Sequence, residues 1–274
     1  MQKSSAERSR IHRDCPNCAV SSRQASAVRY AHPDWPMLKC PGCGLIYLEY
    51  VPNYSALYDE IAWTQQHKRE EQRRLKQSPF LARLDLMTRW RLGLFGDATP
   101  AGGLTAWAKP GPVLDVGCAT GKSFADLPAG YVPNGIEIDA GAAAQARAVF
   151  EPRGGALINS DGVSGLGQFP QNHFTGVSLW SYLEHEARPR EALQGVRRVL
   201  RDDGIVLVKV PNFDCWNRAL LGAKWPGFRH PDHVQYFTPA TLAWLAKATG
   251  FSVYFRLYGR IPVNDNMYAI LRAA

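Results

Sequence analysis

The sequence predicts an α/β fold: a mostly parallel sheet of seven strands with helices on both faces, behind a small cysteine-bearing module and a helical connector. Three observations predict it. Over residues 111–274, short apolar runs alternate with stretches of helical period. The run Val113-Leu114-Asp115-Val116 feeds a glycine turn, Gly117-Cys118-Ala119-Thr120-Gly121, and the acid Glu137 closes the next apolar run about 20 residues on. Four cysteines stand ahead of both as two close pairs.

The elements follow in order. Residues 1–14 have no clear pattern, and residues 1–52 form the candidate metal-binding module. Residues 53–110 form the connector. Its stretch from Thr64 to Leu94 sets Leu75, Phe80, Leu84 and Met87 among Arg, Glu and Gln in a helical pattern that Pro79 would break. Residues 96–112, rich in Gly and Pro, read as a turn-rich linker. Residues 111–274 form the main domain. Its strands are expected at Val113–Val116, Tyr131–Ile138, Ala156–Asn159, Gly176–Trp180, Ile205–Val210, Ser252–Leu257 and Met267–Arg272. Its helices are expected at Gly121–Leu127, Ala140–Phe150, Arg188–Leu200 and Pro239–Thr249. Thr238 is a natural N-cap for the last, with Pro239 at its first position and Gly250 as its stop. Residues 211–237 carry many aromatics between a strand and that helix, and read as a lid and acceptor wall.

The chain has 274 residues, 46% hydrophobic and 20% charged, as in a soluble globular protein. The N-terminus lacks the apolar core of a signal peptide, and no apolar run is long enough to span a membrane, so a cytoplasmic protein with no membrane partner is expected. The net charge is +8. Residues 1–110 hold 16 basic and 10 acidic side chains, against 16 and 14 in the remainder. A basic front half suits RNA, nucleotide sugars or other anions, or simply a solvated helical face.

Cys15-Pro16-Asn17-Cys18 and Cys40-Pro41-Gly42-Cys43 are two C-x-x-C knuckles with 21 residues between them. Four thiolates at this spacing suit a tetrahedral Zn²⁺ with no open position, hence a structural metal rather than a catalytic one. Redox chemistry by one knuckle is the alternative. Cys118 and Cys215 lie outside the quartet and receive no metal.

The glycine loop reads D-x-G-x-x-x-G rather than G-x-G-x-x-G, so its ligand need not bring a pyrophosphate to it. The plain reading is a strand–turn–helix of some other doubly wound fold. The pattern also resembles the first motif of class I S-adenosylmethionine (SAM)-dependent methyltransferases. That resemblance implies a Rossmann-like sheet whose last strand is antiparallel. It implies a glycine loop facing the methionine part of SAM, through Asp115, Gly117, Cys118, Ala119 and Gly121, and a ribose-binding acid at Glu137 followed by Ile138. Asp161, with Gly162, would accept from the adenine amine, or cap a turn. Phe174-Thr175-Gly176-Val177 is similar to the family's fourth strand, with Thr175 in place of the usual aspartate, and Trp180 at its end would border the cofactor. The cysteine quartet followed by Gly44-Leu45-Ile46-Tyr47-Leu48, Tyr54 and Tyr58 resembles the zinc-ribbon front end of a bacterial group of these enzymes, some acting on sugars, glycans or antibiotic precursors.

In relatives a Glu-His pair stands where this chain has Glu184-His185, and His233-Val234-Gln235-Tyr236-Phe237-Thr238 resembles a His-aromatic-Ser/Thr signature. His185 and His233 are thus candidate bases, with structural hydrogen bonding as the alternative for each. His230 and His233 are spaced as a metal pair, but Pro226, Gly227 and Pro231 argue against a helix there. The implied activity is SAM-dependent methyl transfer, O- or N-directed, to a small-molecule or saccharide acceptor. An RNA acceptor, met by the front half with Arg69, Arg73 and Arg74, is the alternative, and a non-catalytic SAM-fold binding protein is the second. The oligomeric state is not legible.

Overall fold

A computed structural model of the chain describes residues 10–52, 99–255, 262 and 264–274. The expected helical run over 64–94, with Arg69, Arg73 and Arg74, lies outside the described residues, as do Tyr54 and Tyr58. The strands are β1 (Arg10–His12), β2 (Ser26–Ala27), β3 (Met37–Lys39), β4 (Ile46–Leu48), β5 (Tyr50–Pro52), β6 (Gly111–Val116), β7 (Tyr131–Glu137), β8 (Leu157–Asn159), β9 (Phe174–Trp180), β10 (Leu200–Pro211), β11 (Gln235–Tyr236), β12 (Phe251–Phe255) and β13 (Asn266–Ala273). The helices are α1 (Pro100–Trp107), α2 (Ala140–Phe150), α3 (Gly162–Gln168), α4 (Pro189–Val199), α5 (Trp216–Leu221) and α6 (Pro239–Ala248).

Seven strands form the main sheet in the order β12-β13-β10-β9-β6-β7-β8. The pairs β10/β9, β9/β6, β6/β7 and β7/β8 are parallel, and β13 runs antiparallel to both β10 and β12. The order reverses between β6 and β9, which opens a crevice at the carboxyl ends of those strands. Side chains alternate across the sheet, as the two-residue strand period demands. Leu114, Val116, Val206 and Val208 meet Leu166 of α3, Leu193 of α4 and Leu245 of α6 on one face. Val113, Ile205 and Leu207 meet Leu104 of α1 and Ala146 and Phe150 of α2 on the other.

Local chemistry explains the helix ends. Asp139 caps α2 through the Ala142 N–H at 2.7 Å. Thr238 and Thr241 form a reciprocal capping box on α6, with Pro239 at its first turn and Gly250 at φ +81° beyond its end. Two expectations fail here. The linker over 96–112 contains α1, capped by Thr99. Its Gly103 is a close-approach residue, because a Cβ there would lie 2.5 Å from Leu207 of β10. The helix expected over Gly121–Leu127 is a single 3₁₀ turn, Lys122–Phe124, with Gly121 left-handed before it and Pro128 soon after. The short helices α3 and α5 lacked enough periodic residues to be seen in advance.

The front module is spliced into this frame. A four-stranded sheet runs β11-β4-β3-β2, so β11, from the segment before α6, pairs antiparallel with β4. The smaller pair β1/β5 lies beside it.

Candidate active site

The glycine loop leaves β6 at the crevice. Gly117 and Gly121 hold φ of +76° and +74°, and Ala119 is also left-handed at +48°. Gly121 allows close packing, since a Cβ there would lie 3.0 Å from the Ala146 Cα and from the Phe150 ring. The Cys118 thiol faces the core with Phe124 and Phe150, so only its main chain is offered to the rim. Burial pushes that thiol well up from its ordinary range.

Glu137 ends β7 beside this loop. Its Oε2 accepts from the Ala119 N–H at 2.8 Å, and its Oε1 accepts from the Ile138 and Asp139 N–H groups, each at 2.9 Å. The carboxylate is 8% exposed, fixed in place, and keeps lone pairs for a further donor. Asp115 sits lower, 4% exposed, accepting from the Ser123 hydroxyl at 2.9 Å. Burial raises its carboxyl to about 6.

Across the crevice, Asp161 Oδ1 caps α3 through the Ser164 N–H at 3.1 Å and pairs with Arg188 Nη2 at 2.9 Å. Burial opposes the shift, but the Ser164 bonds and Arg188 hold the carboxyl below its usual range. Gly162 must lack a side chain, because a Cβ would lie 1.9 Å from the Tyr182 hydroxyl. That hydroxyl donates to Glu186. The Trp180 ring, at the end of β9, meets Lys209 of β10 at 5.3 Å and Tyr268 of β13 at 5.5 Å.

After β9, Glu184, His185 and His233 converge, with a potential ligand atom of each within 4.8 Å of the others. The two imidazoles stand edge to face, 4.7 Å between centroids. The His185 Nδ1–H donates to the Asp232 carbonyl at 2.9 Å, with Asp232 Oδ1 at 3.4 Å, and the His233 Nδ1–H donates to the Gly227 carbonyl at 2.9 Å. Burial lowers both rings, but Asp232 outweighs it at His185, which ends above the ordinary histidine value. His233, facing His185, is held well below it. His230 points elsewhere, stacked on Phe228 and near the Tyr236 hydroxyl, so the H-x-x-H pair does not converge.

The four knuckle cysteines also converge. Cys15 and Cys43 Sγ are 3.5 Å apart, Cys18 and Cys40 Sγ 3.4 Å, and all four lie within 4.8 Å. Four thiolates about 2.3 Å from one zinc stand about 3.8 Å from each other, so the set is close to that tetrahedron. The turns that aim it are closed by Ala19 N–H to Cys15 O and Gly44 N–H to Cys40 O.

A family profile described as a methyltransferase domain matches residues 91–254. The chain belongs to the methyltransferase family. With the seven-stranded sheet above, it is a class I SAM-dependent methyltransferase. Comparison with curated proteins finds no match. Among solved structures it is similar to a SAM-dependent methyltransferase from Archaeoglobus fulgidus, with TM-score 0.51 and 18% identity over 64% of this chain and 92% of that one. It is also similar to a chain of the complex between the Haloferax volcanii Trm112 methyltransferase activator and its methyltransferase-assigned partner, with TM-score 0.51 and 14% identity over 69% and 93%. At these identities the likeness concerns the fold.

Several residues of this methyltransferase's crevice had no sequence signal. Ser123, Arg188, Lys209 and Asp232 are single polar residues whose partners come from other elements. Part of the aromatic segment 211–237, expected as a lid and acceptor wall, packs on the front module. Phe213, Trp225 and Tyr236 are buried against Trp35, Met37, Ile46, Leu48 and Val51 of the front module.

Among the described residues, no helix is long and apolar enough to cross a membrane.

Proposed function

We propose that this methyltransferase binds SAM along the carboxyl rim of β6 and β7 and passes its methyl to a hydroxyl or amine of a small-molecule or saccharide acceptor. The observation that carries this reading is the Glu137 carboxylate, held by three backbone N–H groups with lone pairs to spare for a diol. The main chain of Gly117, Cys118, Ala119 and Gly121 faces the methionine part, with Asp115 beneath; Ile138 follows the ribose acid. Asp161 and Gly162 take the adenine edge, and Trp180 borders the site from β9. Bound SAM supplies a methyl already activated by a cationic sulfur. The residues orient it, exclude water and manage the acceptor's proton. Glu184, His185 and His233 are the groups for that last task. Cys15, Cys18, Cys40 and Cys43 hold a structural Zn²⁺ that fixes the front module. The protein works in the cytoplasm.

Calorimetric titration of zinc-replete protein with SAM and with S-adenosylhomocysteine tests the reading. Saturable binding of both supports it, and no affinity for either refutes it. Separate His185→Ala and His233→Ala variants, assayed at saturating SAM, test the proton-handling roles. Near-normal turnover in both would remove these residues from catalysis.

A further inference from the structure

The Glu184, His185 and His233 cluster contains a buried group that a structural role does not explain. Glu184 is 2% exposed, and its Oε2 has no hydrogen-bond partner among the described residues. A buried, unpaired carboxylate oxygen is costly, and such groups normally hold a partner or a cation. The Lys209 ammonium, whose charge acts on Glu184, gives its hydrogen bond to the Ser181 hydroxyl at 3.2 Å. A ring nitrogen of each of two imidazoles stands within 4.8 Å of a carboxylate oxygen of Glu184. Each ring is anchored through Nδ1 to a backbone carbonyl, of Asp232 and of Gly227, and each offers one nitrogen to the cluster. Carbonyl or carboxylate bonds to the second nitrogen are the usual outer support of metal-binding histidines. The backbone holds the three together: the Glu184 carbonyl accepts from the Val234 N–H at 2.8 Å, beside His233.

We propose that Glu184, His185 and His233 form a second metal site, distinct from the cysteine quartet, which takes a divalent first-row transition cation. Two imidazoles and one carboxylate suit that class and leave coordination positions open. This deepens the methyl-transfer reading and rests on it for its purpose. The acceptor's hydroxyl oxygen would take an open position, and the cation would lower the hydroxyl's pKa so that its proton passes to solvent. The oxygen lone pair then forms the new C–O bond, the methyl C–S bond breaks, and its electron pair returns to sulfur, leaving a neutral thioether.

The test is cobalt(II) added to protein whose cysteine quartet is filled with zinc. The expected result is one further equivalent, with ligand-field absorption bands and no thiolate charge-transfer band. Glu184→Gln and His233→Gln should each weaken that uptake by about 100-fold or more, since even loss of outer support costs about 10–100-fold. Asp232→Asn keeps all three ligands and the backbone carbonyl on His185 Nδ1, removing only the carboxylate 3.4 Å from that nitrogen, and should weaken it less, by about 10-fold. Retained quartet zinc and S-adenosylhomocysteine binding report intact folding of each variant. No second equivalent in the wild type, as when the Lys209 ammonium neutralises Glu184 instead, overturns the proposal. So does uptake that all three variants leave unchanged. Failure of the wild type to bind S-adenosylhomocysteine would count against the cofactor reading and leave the cobalt result standing.

Discussion

Replacing Glu137 by Gln puts the cofactor reading under the most direct strain. The carboxylate meets three donors: Ala119 N–H on Oε2, and Ile138 and Asp139 N–H on Oε1. A carboxamide has only one acceptor oxygen, so its NH₂ must face at least one N–H group. The less costly orientation keeps the Ile138 and Asp139 bonds and turns the NH₂ toward Ala119. That leaves one buried donor unpaired, at a cost of about 1–3 kcal/mol to folding. The same change removes a charge-assisted bond to a ribose hydroxyl, worth about 1.5–3 kcal/mol, or about 10- to 150-fold in Kd. Calorimetric titration with S-adenosylhomocysteine reads the second quantity, and the melting temperature reads the first. Affinity within about twofold of wild type would refute the claim that this carboxylate clasps the cofactor. A lowered melting temperature with unchanged affinity would reduce Glu137 to a loop fastener.

Gly121→Ala should lose about 1–3 kcal/mol of stability, from the left-handed φ and a Cβ 3.0 Å from Ala146 and Phe150, read by denaturant unfolding. Burial raises Asp115 from 3.8 to about 6, so the folded state binds this proton more tightly than the unfolded chain. Its contribution is therefore full below about pH 4 and falls by about 3 kcal/mol as pH rises to about 6. Relative to Asp115→Asn, the wild type should lose that much across this window in urea unfolding, and parallel curves would contradict the assignment. Metal analysis of reduced protein purified without chelators should find zinc in the quartet, and Cys40→Ser should lose that zinc and unfold at lower temperature.

Much of this fold was legible because its signals are local. The glycine loop, the Glu137 position, α2 and α6 each depend on residues close together in sequence: a left-handed turn, an N-cap, a period of apolar side chains. What stayed hidden depends on contacts across the chain. Gly102 and Gly103 read as linker glycines until Leu207 is placed against Gly103, where the missing side chain lets α1 pack closely on β10. Asp232 supports His185 across 47 residues of sequence, with no spacing rule to announce it. The aromatics of 211–237 were visible as a cluster, but which surface they covered was not, since both a lid and a core need apolar rings.

That last difference changes how the molecule works as a whole. With Phe213, Trp225 and Tyr236 buried against the front module, the segment joins that module to the main sheet. Arg13, two residues before the first cysteine, donates to the carbonyls of Leu48, Ala187 and Val234 and to Gln235 Oε1. Gln235 in turn donates to the carbonyls of Leu183 and Glu186, on either side of Glu184 and His185. The cysteine knuckles, β4, β11 and the Glu184–His185–His233 cluster are thus one hydrogen-bonded body. The zinc proposed for the quartet would stiffen the segment that sets His233 beside His185, a mechanical route to the proposed chemistry that needs no contact with a substrate.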